Sequence, residues 1–140
     1  MSIAEIEKEI TGEFELFGDD WEQKYEHLIE LGKSLPIIST ENKTDDKLIK
    51  GCQSRVWMHS ELIEGKIIFT ADSDAIITKG MVALMVRVLS NQKPQDIVNA
   101  DLSFIDKIGL KEHLSPTRAN GLVSMIKQMK LDAVVLSHKS

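Results

Sequence analysis

The chain has 140 residues, of which 42% are hydrophobic and 28% are charged, a composition typical of a soluble globular protein. This length predicts a single domain over residues 1–140 that buries a core of its own. The net charge of −5 argues against a nucleic-acid-binding protein, whose affinity depends on clustered cations. Neither a secretory signal nor an apolar segment long enough to cross a bilayer is found, so we expect a cytoplasmic protein without a membrane partner.

Two amphipathic helices are predicted at the start of the chain. The first covers residues 2–16, and the second runs from Trp21 to about Gly32 after a break and cap at Asp19 and Asp20. Residues 1–31 carry ten acidic side chains against two basic ones, which indicates solvated helix faces or a surface that steers a partner protein. The apolar positions at helical spacing are Ile3, Ile6, Ile10 and Phe14, then Trp21, Tyr25, Leu28 and Ile29.

A β-hairpin is predicted in the middle of the chain. Residues 39–50 are polar and are expected to form a surface loop. Residues 53–63 and 66–71 have the composition of strands, and Glu64-Gly65 between them is typical of a tight turn. The sequence therefore predicts two antiparallel strands.

Helices are predicted after the hairpin. An Asx or Ser cap within residues 72–74 opens a helix from Ala75 to Leu89, and Gly80 inside it indicates a close backbone contact. Short helices are expected from Pro94 and over residues 104–108, and Ser115-Pro116 begins a closing helix. The order of elements predicts an α+β protein, with a small antiparallel sheet flanked by helices.

The single cysteine is the strongest candidate for chemistry. It lies in the segment Gly51-Cys52-Gln53-Ser54-Arg55-Val56-Trp57. One cysteine cannot form an internal disulfide or a multi-thiolate metal site, and an unpaired thiol is typical of a reducing compartment. Glycine and polar residues beside Cys52 place it at a loop-to-strand junction, which favours a solitary nucleophile. The alternative is an inert, buried cysteine.

Arg118 is the second candidate. It lies in the first turn of the closing helix, where the helix dipole disfavours a cation by about 0.3 kcal/mol or more. A nearby cation raises the thiolate fraction of a cysteine, so Arg118 could serve Cys52. The alternative is a tether to a carboxylate such as Asp74. The histidines are scattered, so no metal site is predicted, and no motif indicates a bound cofactor.

Several segments, in order, resemble the conserved blocks of the SufE family of sulfur-acceptor proteins. The likeness covers about residues 15–130. It does not separate SufE proteins from their CsdE-type paralogues. The matching segments are Trp21-Glu22-x-Lys24-Tyr25 with Ile29-Glu30-Leu31-Gly32 and Leu35-Pro36, Gly51-Cys52-Gln53-Ser54-x-Val56-Trp57, Asp72-Ser73-Asp74-Ala75 with Lys79-Gly80, Pro94-Gln95-Asp96-Ile97-Val98, and His113-Leu114-Ser115-Pro116-Thr117-Arg118-x-x-Gly121.

The resemblance implies a fold like the IscU scaffold and a covalent sulfur relay without a cofactor of its own. A SufS- or CsdA-like cysteine desulfurase, which carries pyridoxal phosphate, would pass persulfide sulfur to Cys52. A SufBCD-like iron–sulfur scaffold would then receive it. The resemblance also implies a cysteine loop that shelters the sulfur until a partner docks.

The resemblance further implies supporting roles around Cys52. Arg118 would orient the loop or support charged sulfur, and Asp74 would hold the loop or meet the partner. Gln53 and Ser54 would donate hydrogen bonds or shape the loop, and Gly51 would ease its motion.

Three alternatives to the relay stay open at the level of sequence. An iron–sulfur scaffold is disfavoured by the single cysteine, because clusters are held by several thiolates. A redox sensor would use oxidation of Cys52 as its signal. A plain binding module would contain Cys52 as a structural residue.

Overall fold

The structure, a computed structural model, describes residues 1–138, so the last two residues of the predicted 1–140 domain lie outside the described part. It is an α+β fold in which helices surround one β-hairpin, as predicted. The elements are α1 (Ile3–Glu15), α2 (Trp21–Lys33), β1 (Val56–Ile63), β2 (Lys66–Ser73), α3 (Ile76–Leu89), α4 (Pro94–Asn99), α5 (Phe104–Lys107), α6 (Leu110–His113) and α7 (Pro116–Ser137).

The first two helices begin at side-chain caps. Ser2 and Glu5 form a capping box at the start of α1, with the Glu5 N–H donating to Ser2 Oγ at 3.2 Å. The Asp20 carboxylate accepts the Gln23 N–H at 3.2 Å at the start of α2. Both predicted helices are therefore confirmed.

Strands β1 and β2 pair antiparallel from Val56 opposite Ser73 to Ile63 opposite Lys66. Glu64 and Gly65 connect them with φ of 52° and 80°, the left-handed conformation that tight hairpin turns require. The hairpin is confirmed, but β1 begins at residue 56 and not 53, because residues 51–54 form a turn. One face of the hairpin packs on α3, and its buried side chains are Val56, Met58, Ile67, Phe69 and Ala71.

The loop before β1 is partly ordered against the hairpin. It contains two short 3₁₀ turns, Thr40–Asn42 and Asp45–Lys47. The Ile49 N–H then donates to the Val56 carbonyl at 2.9 Å. This bond holds the chain beside β1 two residues before the turn that contains Gly51.

Helix α3 lies at the centre of the core and packs against α2 and the hairpin. A β-carbon on Gly80 would lie 2.7 Å from the Leu28 carbonyl carbon, which confirms the predicted close contact and explains the glycine. The predicted Asx or Ser N-cap is wrong, since Ala75 occupies the N-cap position without a capping side chain; Ser73 Oγ accepts the N–H of Ala75 at 3.3 Å. The Asp74 carboxylate instead accepts the N–H of Arg55.

The remaining helices close the core. Helices α4 and α5 confirm the predicted short helices, whereas the single turn α6 was not predicted. Ser115 Oγ accepts the Arg118 N–H at 3.3 Å and Pro116 is the first residue of α7, as predicted. Helix α7 packs on α3, α4 and β1, which brings its first turns to the end of the hairpin where β1 begins. Among residues 1–138 no helix is long and apolar enough to cross a membrane.

Candidate functional site

Cys52 lies in the tight turn that precedes β1, and this turn rests on α7. Gly51 has a φ of +89°, which a residue with a side chain rarely adopts. A β-carbon at this position would also lie 2.5 Å from Ser124 Oγ on α7. Glycine therefore permits both the turn and its close approach to the helix.

The Cys52 thiol is half-buried and points toward α7. Its S–H donates to the Gly121 carbonyl, with Sγ 3.6 Å from the oxygen. Burial raises the pKa of the Cys52 thiol above its ordinary value, and no charge among the described residues lowers it. The resting thiol is therefore protonated at neutral pH, and its lone pairs are partly shielded from solvent.

A cavity of about 90 Å³ opens beside the thiol. One water-sized guest needs about 10–15 Å³, so this cavity has room for a further atom bonded to sulfur. Its floor consists of core methionines, and its rim consists of polar side chains. The lining residues are Cys52, Gln53, Ser54, Ala75, Thr78, Met81, Thr117, Arg118, Gly121 and Met125.

Two helices present their N-terminal ends to this cavity. Ala75 and Thr78 come from the start of α3, and Thr117 and Arg118 come from the first turn of α7. The N-terminus of a helix carries about half a positive charge from its unpaired N–H groups. Neither first turn contains an acidic residue that would neutralise it. The arrangement therefore favours an anion at the mouth of the cavity.

Asp74 fastens the far side of the cysteine turn to the end of β2. Its Oδ1 accepts the Arg55 N–H at 3.0 Å, and its own N–H donates to the Arg55 carbonyl at 3.3 Å. These two bonds restrain the chain three residues after Cys52. Asp74 acts on the backbone of the turn, and its side chain does not line the cavity.

Arg118 lies on the rim of the cavity with an exposed side chain. Within residues 1–138 it forms no ion pair, so the alternative in which it is tethered to Asp74 is wrong. Gln53 and Ser54 also line the cavity. The structure therefore brings Cys52, Gln53, Ser54 and Arg118 together, with Gly51 and Asp74 holding the turn.

The described residues contain no group of three or more histidine, cysteine or acidic side chains placed to hold a metal ion.

Comparison with known families identifies the chain. A family model described as "SufE: Fe-S metabolism associated domain" matches residues 8–133. The chain belongs to the SufE family. This membership associates the protein with iron–sulfur metabolism.

A solved structure supports the fold of this SufE-family chain. The solution structure of a protein described as hypothetical, from Thermus thermophilus, superposes with a TM-score of 0.76. The two sequences are 18% identical, and the match covers 91% of this chain and 93% of the other. At this identity the likeness establishes a shared architecture.

Sequence reasoning missed part of the SufE-family site. Thr78 and Thr117 line the cavity, and the Gly121 carbonyl accepts a hydrogen bond from the thiol. None of these three residues was assigned a role from the sequence alone. Gly121 could have been found, since a glycine inside a predicted helix indicates a close approach by another part of the chain. The threonines carry no such signal, because their place depends on how α3 and α7 pack.

Proposed function

We propose that this protein is a sulfur acceptor that carries sulfur as a persulfide on Cys52. The donor is a cysteine desulfurase of the SufS or CsdA class, which uses pyridoxal phosphate and is stimulated when its persulfide is removed. The receiver is an iron–sulfur cluster assembly scaffold of the SufBCD class. We place this relay in the cytoplasm, where reducing conditions keep a lone thiol free.

The observation that carries the proposal is the cavity beside the thiol. The chain's one cysteine borders a space large enough for a second sulfur atom, on the surface side of the core. An inert core cysteine would be fully packed, because protein interiors contain few voids of this size. The space supports a thiol that gains and loses an atom during its working cycle.

The transfer is a thiol–persulfide exchange in which atoms and charge balance. The Cys52 thiolate attacks the outer sulfur of the donor persulfide and forms a new S–S bond. The donor's own S–S bond breaks, and the donor cysteine leaves as a thiolate. The Cys52 sulfur is oxidised from the thiol to the persulfide level and the donor cysteine is reduced to the thiol level, so no external oxidant or reductant is needed. The rate depends on the thiolate fraction of Cys52 and on access to it.

The groups around Cys52 support different parts of this step. A persulfide anion at the cavity mouth would meet the N-termini of α3 and α7 and the unpaired Arg118 cation. The Gly121 carbonyl accepts a hydrogen bond from the S–H of the resting thiol, but it cannot donate a hydrogen bond to an anion. Asp74 keeps the turn in register by bonding the Arg55 backbone.

The test is sulfur loading followed by mass spectrometry. The protein is incubated with a SufS- or CsdA-class desulfurase and L-cysteine, and the peptide containing Cys52 is analysed. We expect one added sulfur that reductant removes, together with faster desulfurase turnover. Cys52→Ser should abolish both while leaving the thermal unfolding temperature unchanged.

A relocated thiol provides the matched control. In a Cys52→Ser background, Ser34→Cys puts a thiol at the exposed C-cap of α2, a position that does not line the cavity. We expect this thiol to remain unloaded. Equal loading of both positions, or undiminished stimulation by Cys52→Ser, would contradict the relay.

A further inference from the structure

Three cations without carboxylate partners lie near Cys52. Arg118 lines the cavity, and Lys50 and Arg55 lie two and three residues from Cys52, at most about 7 Å and about 11 Å away between Cα atoms. All three side chains are exposed, and within residues 1–138 none forms an ion pair. The Cα atoms of Lys50 and Arg55 thus lie within about one Debye length of the Cα atom of Cys52 at 0.1 M salt, that is about 10 Å.

Asp74 does not neutralise these cations. Asp74 is engaged with the Arg55 backbone, and it is a single charge against three. The basic residues of the neighbouring hairpin end, Lys43 and Lys79, share the one carboxylate of Asp72. The mouth of the cavity is therefore a positive surface on a protein with a net charge of −5.

Two acidic side chains of α1 lie at the other end of α3. Arg87 lies about 16 Å along the helix from Ile76, and it binds Glu9 at 2.8 Å and Glu13 at 2.5 Å. These glutamates belong to the acidic stretch of residues 1–31. Carboxylates of α1 therefore bind the far end of α3, whereas the thiol lies at its N-terminal end.

The three cations do not activate the resting thiol. Burial raises the pKa of Cys52, and no charge within residues 1–138 offsets this effect. An exposed apolar residue also lies beside the cavity, since Ile76, at the start of α3, keeps 68% of its surface in solvent. Cations together with an exposed isoleucine match the surface of a protein better than they match a small anion.

We propose that Lys50, Arg55 and Arg118 form a docking surface that selects a sulfur donor with an acidic rim around its persulfide cysteine. The inference rests on the proposed function and specifies the chemistry of the partner. Opposite charges orient the two proteins before contact and raise the association rate, while the thiol chemistry is left unchanged.

Paired charge variants test the proposal. Lys50→Gln with Arg55→Gln removes two charges beside Cys52, whereas Lys66→Gln with Lys93→Gln removes two exposed charges elsewhere, so both proteins have the same net charge. Glutamine leaves the backbone bonds of Arg55 to Asp74 in place. Sulfur loading by a desulfurase is measured at subsaturating concentration, at about 0.01 M and about 1 M ionic strength, where the Debye length is about 30 Å and about 3 Å.

We expect the first pair to load about three- to ten-fold more slowly at low ionic strength, and to match the wild type at high ionic strength. The control pair should behave as the wild type throughout. Alkylation by iodoacetamide, a neutral reagent, should have the same rate in all three proteins.

The remaining outcomes overturn one of the two proposals. Equal loading of both pairs would refute the docking surface and leave the relay standing. A deficit that persists at high salt with slower alkylation would mean that the cations act on the thiol, which also refutes docking. Failure of the wild type to load would refute the relay, and the docking surface with it.

Discussion

Cys52 combines two properties that oppose each other in a nucleophile. It borders a cavity and is partly accessible. However, burial raises its pKa, and its S–H donates a hydrogen bond to the Gly121 carbonyl. A free thiol with pKa near 8.5 is a few per cent thiolate at pH 7, and a raised pKa lowers that fraction further. The resting site therefore protects the thiol, and the proposed relay requires docking to expose it.

Alkylation kinetics test this protected state. We expect native protein to react with iodoacetamide more slowly than urea-unfolded protein at pH 7–8, with a midpoint of the pH profile above that of the unfolded chain. The rate at each pH is followed by mass spectrometry. Because the pKa of Cys52 is raised in the folded state, the folded state holds the thiol proton more tightly than the unfolded chain does. The resulting stabilisation of the folded state is present below about pH 8.5 and is lost as pH rises through the native pKa.

Cys52→Ser is the control for the stability effect, since it should flatten the alkaline fall in unfolding free energy. A native midpoint at or below that of the unfolded chain would show that the thiol is activated at rest.

For single residues, the sequence predicted which residues lie at the site better than it predicted the contacts that they make. Cys52 and Arg118 are predicted site residues because each breaks a local expectation, one as a lone thiol in a polar turn and the other as a cation in the first turn of a helix, and both line the cavity. Asp74 was expected near the site, but its bond to the Arg55 backbone was not, and the hydroxyls that line the cavity were missed. Contacts between residues far apart in sequence depend on helix packing, which local patterns do not encode.

Among the elements, the contact between α2 and α3 positions the first turn of α3 at the cavity. The backbones approach closely at Gly80, where a β-carbon would lie 2.7 Å from the Leu28 carbonyl carbon and 3.1 Å from Leu28 Cβ. Gly32 on α2 meets the same place, because its β-carbon would be 3.2 Å from the Gly80 nitrogen. Two glycines thus permit a helix spacing that larger residues would forbid.

Two glycine-to-alanine variants test this contact, because intrinsic helix propensity favours alanine equally at both positions. Gly80→Ala should destabilise the fold by about 2 kcal/mol, since the clash is with backbone that cannot move aside and exceeds the gain of about 1 kcal/mol in propensity. Gly12→Ala in α1 meets no atom within 4 Å, so it should stabilise the fold by about 0.5–1 kcal/mol. Urea unfolding measures both changes.

A neutral or stabilising Gly80→Ala would mean that α2 and α3 are not this close. If Gly12→Ala also destabilised the fold, the loss in Gly80→Ala would be a general consequence of replacing glycine and not evidence for the close contact.

Regular elements with a strong period were predictable, and their junctions were less so. The stripes of α1 and α2 and the hairpin turn at Glu64-Gly65 follow from spacing and turn chemistry. The cap of α3 was misassigned, because an aspartate before a helix is a good N-cap unless a nearer donor takes its carboxylate. Here the Arg55 N–H is that donor, and it belongs to another element.

For the whole molecule, the path of α3 through the core links architecture to the proposed function. The thiol lies where the N-termini of α3 and α7 meet, and α1 binds the opposite end of α3 through Glu9 and Glu13. Only the sum of charges in each segment was visible in the sequence. Their arrangement in space follows from α3 passing through the core, with Arg87 bound to α1 at one end and the Cys52 cavity at the other.

The prediction of a single domain over residues 1–140 belongs to the same scale. The buried side chains form one cluster that includes residues of α1, the hairpin and α7. Trp21 reports on one side of it, because its ring stacks on His113 with centroids 3.8 Å apart and so joins α2 to the segment before α7. Trp57 reports on the hairpin, where Lys43 Nζ lies 4.4 Å above its ring.

Because the core is continuous, both tryptophans should sense the same cooperative unfolding event. In Trp57→Phe the fluorescence comes from Trp21 alone, and in Trp21→Phe it comes from Trp57 alone. Within each variant, we expect the fluorescence midpoint in urea to coincide with the midpoint from far-ultraviolet circular dichroism. Coincidence in both variants is required, because the substitutions themselves shift stability. A hairpin that unfolds before the helices would separate the two probes in Trp21→Phe, and the chain would then consist of more than one cooperative unit.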